Sequence, residues 1–182
     1  MLLLRRSAVD LLTAQLSDSY HPVADGVANV ARNYAFWLNK VLGPCSVVAP
    51  RFPGTVRQCD GVPVLRYPSL PFPGNKPYRM GFPFASSTLM RRLRSSRLDL
   101  LHVHSPMASG VLALWQRLRG DVALVASFHT KYREDFTRVL RVPPLVEQCI
   151  RWVVDFYESA DSVWVPNRAT ADVLAGYGYR GD

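Results

Sequence analysis

The stretch L98-D-L-L-H-V-H-S-P-M-A-S-G-V-L-A-L-W-Q-R-L-R119 decides the fold of this chain. Asp99–His104 reads as a short, mostly apolar strand and Met107–Arg119 as a helix, with Ser105-Pro106 between them. The same alternation repeats on both sides. Upstream, Ala8–Ser17 reads as a mostly buried first strand. Beyond the Asp18–Gly26 loop, Val27, Val30, Ala31, Tyr34, Trp37, Leu38 and Val41 recur as one helical face that Gly43-Pro44 ends. Strands are expected at Cys45–Ala49 and Val62–Tyr67, and a helix over Phe84–Arg97. Downstream, Val122–Phe128 is another apolar run, Pro144–Ser159 a helix, Ser162–Val165 a strand and Ala169–Tyr177 a final helix. Strands alternating with helices of this length predict an α/β, Rossmann-like parallel sheet covered by helices on both faces. Pro68–Pro83 carries five prolines and is expected to be irregular, a loop long enough to be functional or mobile.

Totals narrow the class. At 182 residues the chain suits one domain, residues 1–182, with a real core. A hydrophobic content of 48% with 20% charged residues is that of a globular protein. The net charge of +8 favours an anionic partner: phosphate, nucleotide, nucleic acid or an anionic membrane. Cys45, Cys59 and Cys149 are odd in number and widely spaced, which argues for a reducing compartment and against a zinc site. The opening M-L-L-L-R-R fits neither a signal peptide nor a membrane span, so a cytoplasmic location is expected. The last residues, Y177-G-Y-R-G-D182, are where a further strand or domain would begin, and the chain is expected to be incomplete.

Three segments place polar or glycine chemistry just past an expected strand: D18-S-Y-H-P-V-A-D-G-V27, L100-L-H-V-H-S-P106 and A126-S-F-H-T-K-Y132. In an open parallel sheet the carboxyl ends of the strands share one edge, and ligands bind in the crevice there. Asp25-Gly26-Val27 opens a helix, where free N–H groups favour an anion and glycine allows close approach. Asp25 acting as an N-cap and Gly26 as a turn residue is the simpler alternative. Neither GxGxxG nor GxxxxGK[ST] is present. His102 and His104 alternate along a strand and are read as pointing to opposite faces, His104 towards the cleft and His102 inward, which disfavours a metal site made from both. His129, Thr130, Lys131 and Tyr132 suit hydrogen bonding to hydroxyls and phosphate, and His21 adds a polar group to the same edge. Arg91, Arg92, Arg94 and Arg97, interleaved with apolar residues and preceded by Lys76 and Arg79, form a basic amphipathic stretch suited to anionic lipid. Nucleic acid is disfavoured, because no recognition fold with stacking aromatics is apparent.

Together these segments resemble the N-terminal domain of the retaining glycosyltransferases of family 4, which have the GT-B fold. The likeness rests on the opening strand with D18-S-Y-H-P-V-A-D-G-V27, on L98-D-L-L-H-V-H-S-P106, on V125-A-S-F-H-T130 and on E158-S-A-D-S-V-W-V-P-N-R-A-T-A-D-V-L-A-G-Y-G178. The resemblance implies the acceptor-side half of an enzyme that moves a sugar from a nucleotide-sugar to a sugar or lipid acceptor. The donor-binding C-terminal domain lies outside this chain. It implies that Asp25, Gly26 and Val27 meet the donor phosphate or sugar and that His104 sits beside the transferred sugar. His21, Ser105, His129, Thr130, Lys131 and Tyr132 then line the acceptor side. No metal or other cofactor is implied, and the location is cytoplasmic, peripheral to a membrane. The rival readings are an inactive binding module of the same fold and half of a sugar-nucleotide epimerase.

Overall fold

The computed structural model describes residues 10–54, 58–72 and 76–181. Nine strands run in chain order among these residues: β1 (Thr13–Leu16), β2 (Cys45–Pro50), β3 (Gln58–Cys59), β4 (Val62–Tyr67), β5 (Ser69–Pro71), β6 (Arg79–Gly81), β7 (Leu100–Val103), β8 (Ala123–Ser127) and β9 (Ser162–Trp164). The helices are α1 (Gly26–Val41), α2 (Ser87–Ser95), α3 (Ala108–Arg117), α4 (Tyr132–Leu140), α5 (Pro143–Glu158) and α6 (Arg168–Gly176).

The main sheet has the order β3-β4-β2-β1-β7-β8-β9. Every pairing is parallel except β3 with β4. Without the short β3 the order is the doubly wound 3-2-1-4-5-6, which reverses between β1 and β7. That reversal opens a crevice above the carboxyl ends of β1 and β7. The sheet therefore aims the loops after Leu16 and Val103 at one place.

Alternate residues of the strands go to opposite faces, and the two faces differ. On one, Ala14, Leu16, Leu101, Val103, Leu124 and Ala126 form one apolar core with residues of α2, α3 and α5. On the other, α1 packs Ala31 and Ala35 on Cys45, Val47, Ala49, Val62 and Val64. Further along that second face, beneath the crevice, the buried residues are polar: Thr13, Gln15, Ser17, His102, His104 and Ser127.

Three expectations need correction. Pro68–Pro83 is not irregular throughout, because β5 and β6 pair antiparallel with Leu70 opposite Met80. Among the described residues no third strand joins this two-stranded sheet, so Pro71 costs no ladder hydrogen bond. The expected helix 84–97 is a 3₁₀ turn, Pro83–Ala85, followed by α2, which starts where the Ser86 hydroxyl accepts the Leu89 N–H at 3.2 Å. The first strand is four residues long, and Ala8 and Val9 of its expected span lie outside the described residues. Helix α4 occupies residues to which no element was assigned above. Tyr132, Phe136 and Leu140 repeat every four residues against the core, one apolar residue per turn, with Glu134 and Asp135 favourably placed in the first turn.

Candidate functional site

Asp25 is the N-cap of α1. Its carboxylate accepts the Ala28 N–H at 2.7 Å and the Ser19 hydroxyl at 2.5 Å, so local structure uses this side chain. Gly26 and Val27 follow as the first helical residues, whose N–H groups have no intrahelical acceptor. A Cβ built on Gly26 would meet nothing within 4 Å, and its backbone lies outside the left-handed region. Neither packing nor conformation calls for glycine at this position. What its missing side chain leaves open is the approach to the end of α1.

Behind this opening lies a line of neutral imidazoles. His104 Nε2 stands 2.8 Å from Gln15 Oε1 and His104 Nδ1 stands 3.2 Å from His129 Nε2. An amide oxygen only accepts, so Nε2 of His104 carries the hydrogen and Nδ1 offers its lone pair to the His129 N–H. Gln15 thereby sets the tautomer of both histidines, and His129 Nδ1 is the remaining acceptor of the chain. His102 pairs its Nε2 with the Ser127 hydroxyl at 2.8 Å.

The rings of His102 and His104 are 4.4 Å apart, and both lie near Tyr34. The expectation of opposite faces was wrong: a two-residue step along a strand returns to the same face. Burial, reinforced by the neighbouring histidines, holds His104 well below the usual imidazole pKa. Burial takes His102 down to about 4 and also lowers His129, where the nearby Asp25 charge opposes it.

Asp18, in the loop after β1, accepts the Ser109 N–H at 3.1 Å and the Tyr67 hydroxyl at 3.0 Å. It caps α3 from a distance, since Met107 at the N-cap position offers no side-chain hydrogen bond. Burial raises its pKa, and hydrogen bonds from Ser105, Ser109 and Tyr67 offset part of that rise.

Asp18, Asp25, Gly26, Val27, His104, Ser105, Thr130 and Tyr132 share one cavity of about 870 Å³, whose outer wall includes Phe72, Tyr78, Met80 and Phe82 of the β5–β6 hairpin. All three post-strand segments thus meet. His129 joins through its bond to His104. His21 and Lys131 are exposed and do not line the cavity. The His21 carbonyl accepts from Arg66 at 2.6 Å, and Lys131 lies 3.7 Å from Glu134. Tyr132 is buried, its hydroxyl pKa raised by burial. Sequence reasoning passed over Gln15, Asp18 and Ser109 as site residues. Their signal was a polar set, Thr13, Gln15 and Ser17, repeating every second residue in a strand read as buried.

Residues 24–182 match the family model described as Glycosyltransferase Family 4. The chain belongs to glycosyltransferase family 4. Among proteins similar to this family 4 chain is the alpha-monoglucosyldiacylglycerol synthase of Streptococcus pneumoniae, 25% identical over 166 residues, which are 88% of this chain and 36% of that protein. Another is the GDP-mannose-dependent alpha-mannosyltransferase of Mycobacterium tuberculosis, 28% identical over 169 residues, 91% of this chain and 44% of that protein. The chain thus spans roughly two fifths of the length of these curated relatives. The doubly wound sheet agrees with the Rossmann-like half of a family 4 enzyme.

The basic stretch is also placed. Leu89, Met90 and Leu93 of α2 are buried in the core, so this helix turns its apolar side inward and exposes Arg91, Arg92 and Arg94. Arg79 is half-buried and bonds its guanidinium to the Ser69 hydroxyl and carbonyl at 2.8 and 2.9 Å. Among the described residues no helix is long and apolar enough to cross a membrane, and no group of three or more His, Cys, Asp and Glu is placed to hold a metal.

Proposed function

We propose that this chain is the acceptor-side half of a glycosyltransferase that moves a sugar from a nucleotide-sugar to an acceptor hydroxyl. The observation that carries the reading is the shared cavity. It joins the open end of α1 at Gly26, the end of β7 at His104-Ser105 and the loop after β8 at Thr130, in a chain of family 4.

In transfer the anomeric C–O bond to the diphosphate breaks and the acceptor oxygen forms the new one. The hydroxyl proton passes to the departing phosphate, and retention of configuration is the family's outcome. Negative charge grows on the leaving group, and the Gly26 and Val27 N–H groups with the α1 dipole oppose that charge without a metal. Neutral His129 and His104, held in one tautomer by Gln15, border the sugar as hydrogen-bonding groups that add no charge. Asp18, Ser105 and Thr130 receive the acceptor hydroxyls.

The donor-binding half lies outside this chain, and the working enzyme is cytoplasmic and peripheral to an anionic membrane. Lys76, Arg91, Arg92, Arg94 and Arg97 are its cationic contacts; Arg79, expected among them, is instead bonded to Ser69 on the inner side of the hairpin. The S. pneumoniae relative is named for a glucosylated diacylglycerol, which supports a lipid acceptor.

The test is transfer of labelled sugar from a panel of nucleotide-sugars, by the chain alone and by the chain fused to the carboxyl-terminal half of the M. tuberculosis relative. Transfer by the folded fusion only is the expected result. Transfer by the chain alone would overturn the half-site reading. A folded fusion that carries no label to any acceptor would overturn the transferase.

A further inference from the structure

The β5–β6 hairpin is built the wrong way round for a surface ribbon. Leu70 stands opposite Met80, and Phe72 donates its N–H to the Tyr78 carbonyl at 3.0 Å. By the two-residue period of strands, Leu70, Phe72, Tyr78 and Met80 share one side, and Phe82 continues it. Apart from the Tyr78 hydroxyl, which reaches Asp25, that side is apolar, yet Leu70 is 59% exposed, Met80 45% and Tyr78 and Phe82 39% each.

The opposite side, which meets the body of the protein, is small and polar. A Cβ on Gly81 would come within 2.4 Å of the Tyr67 ring. Arg79 bonds Ser69 and lies 5.8 Å from the Phe52 ring. A ribbon lying on a sheet in water usually puts its apolar side inward. Here it lies exposed at the mouth of the substrate cavity, which Phe72, Tyr78, Met80 and Phe82 also help to line.

Beyond Phe82 the chain leads into a separate cationic and aromatic cluster. Phe84 packs edge-on against Trp115 at 5.9 Å, and Arg94 and Arg119 lie over the Trp115 ring at 5.8 and 5.0 Å. Lys76 stands exposed on the hairpin itself. Among the described residues Lys76, Arg94 and Arg119 form no ion pair. An exposed apolar patch that carries an unpaired lysine, on a chain of net charge +8, suits a surface with an oily interior and anionic headgroups. A second copy of this chain is a poor match, because it brings another +8 to the same place.

We propose that the apolar side of the β5–β6 hairpin seats on an anionic bilayer, with Leu70 and Met80 entering the boundary between headgroups and acyl chains. Seated so, the hairpin turns the cavity mouth to the membrane. The buried apolar side of α2 leaves that helix only an electrostatic part. The proposal deepens the reading of a lipid acceptor and rests on it.

The test is flotation of the 182-residue chain with vesicles of phosphatidylcholine alone or mixed with phosphatidylglycerol. The chain should bind the mixed vesicles, and added salt should weaken binding without abolishing it. Leu70→Glu and Met80→Glu should each lower the partition coefficient about tenfold or more, with unchanged circular dichroism and melting temperature. Leu70→Met and Met80→Leu should bind as the parent does.

Glutamate variants that float like the parent would overturn the proposal. So would an absence of parent binding, or a concentration-dependent dimer that Leu70→Glu dissolves, which would assign the face to a second copy. Flotation involves no turnover. If it fails while the fusion still glycosylates a soluble acceptor, the membrane seat alone falls; if the fusion glycosylates no acceptor while the hairpin variants still lose flotation, the transferase reading falls and the membrane surface stands.

Discussion

The central strands of this sheet carry two faces with opposite chemistry. Ala14, Leu16, Leu101, Val103, Leu124 and Ala126 point one way into an apolar core. Thr13, Gln15, Ser17, His102, His104 and Ser127, their alternating neighbours, point the other way and are equally buried. Burying polar side chains costs free energy unless each finds a partner. The paired contacts Gln15–His104, His104–His129 and His102–Ser127 supply partners for most of them, while the Gln15 amide nitrogen and the Thr13 hydroxyl have none among the described residues. One face makes the fold; the other holds chemistry that folding alone does not require. Substitutions across this divide should therefore separate stability from turnover.

The largest loss of stability should come from the apolar face. Leu101 is fully buried, and Leu101→Ala should cost about 3–4 kcal/mol in urea unfolding. A loss below 1 kcal/mol would mean that this face is not the core.

The polar face should instead show itself through pH. The folded pKa of His102 is depressed to about 4, so as pH falls from 6.5 towards 4 the unfolded chain takes up a proton that the folded chain refuses. Stability falls with falling pH in that window, by about 3 kcal/mol from His102 at the limit. His102→Gln should flatten the slope, and an unchanged slope would show that the ring protonates freely when folded.

Smaller effects come from the rim. Asp25→Ala removes the α1 cap and should cost about 1 kcal/mol. Asp18 works with the opposite sign: its folded pKa is raised above 3.8, so its contribution is lost as pH rises through that folded value. Asp18→Asn should gain stability relative to the parent as pH rises from acid to 7. A pH-independent difference would mean that the carboxylate is not desolvated. If the same variant also loses transfer, Asp18 is retained for the reaction at the expense of stability.

Much of this division was legible in the chain. The run L98–R119 gave a strand and a helix in the right places, and the three post-strand segments do converge. The two-residue period of T13-A-Q-L-S17 was also there to be read. Two faces of one buried strand cannot be told apart by hydrophobicity alone, and Gln15 became a site residue only when β7 was placed beside it. The histidine pair shows the same limit from the other side, since their spacing already put them on one face. Helix α4 was hidden because His129-Thr130-Lys131-Tyr132 reads as a polar binding segment, and the helical period shows only once Phe136 and Leu140 are seen to share an inner side with Tyr132. The hairpin was hidden because its prolines signal irregularity, and only the pairing of Leu70 with Met80 shows which side chains keep company.

The most direct test of the two-face account is His104→Ala in the fused enzyme, with turnover and urea unfolding measured on the same preparation. Removing this ring should lower kcat/KM about a hundredfold while costing less stability than Leu101→Ala. Losses of the same size in both, or a variant that unfolds yet keeps the turnover of its folded fraction, would make the histidine part of the scaffold and contradict the account.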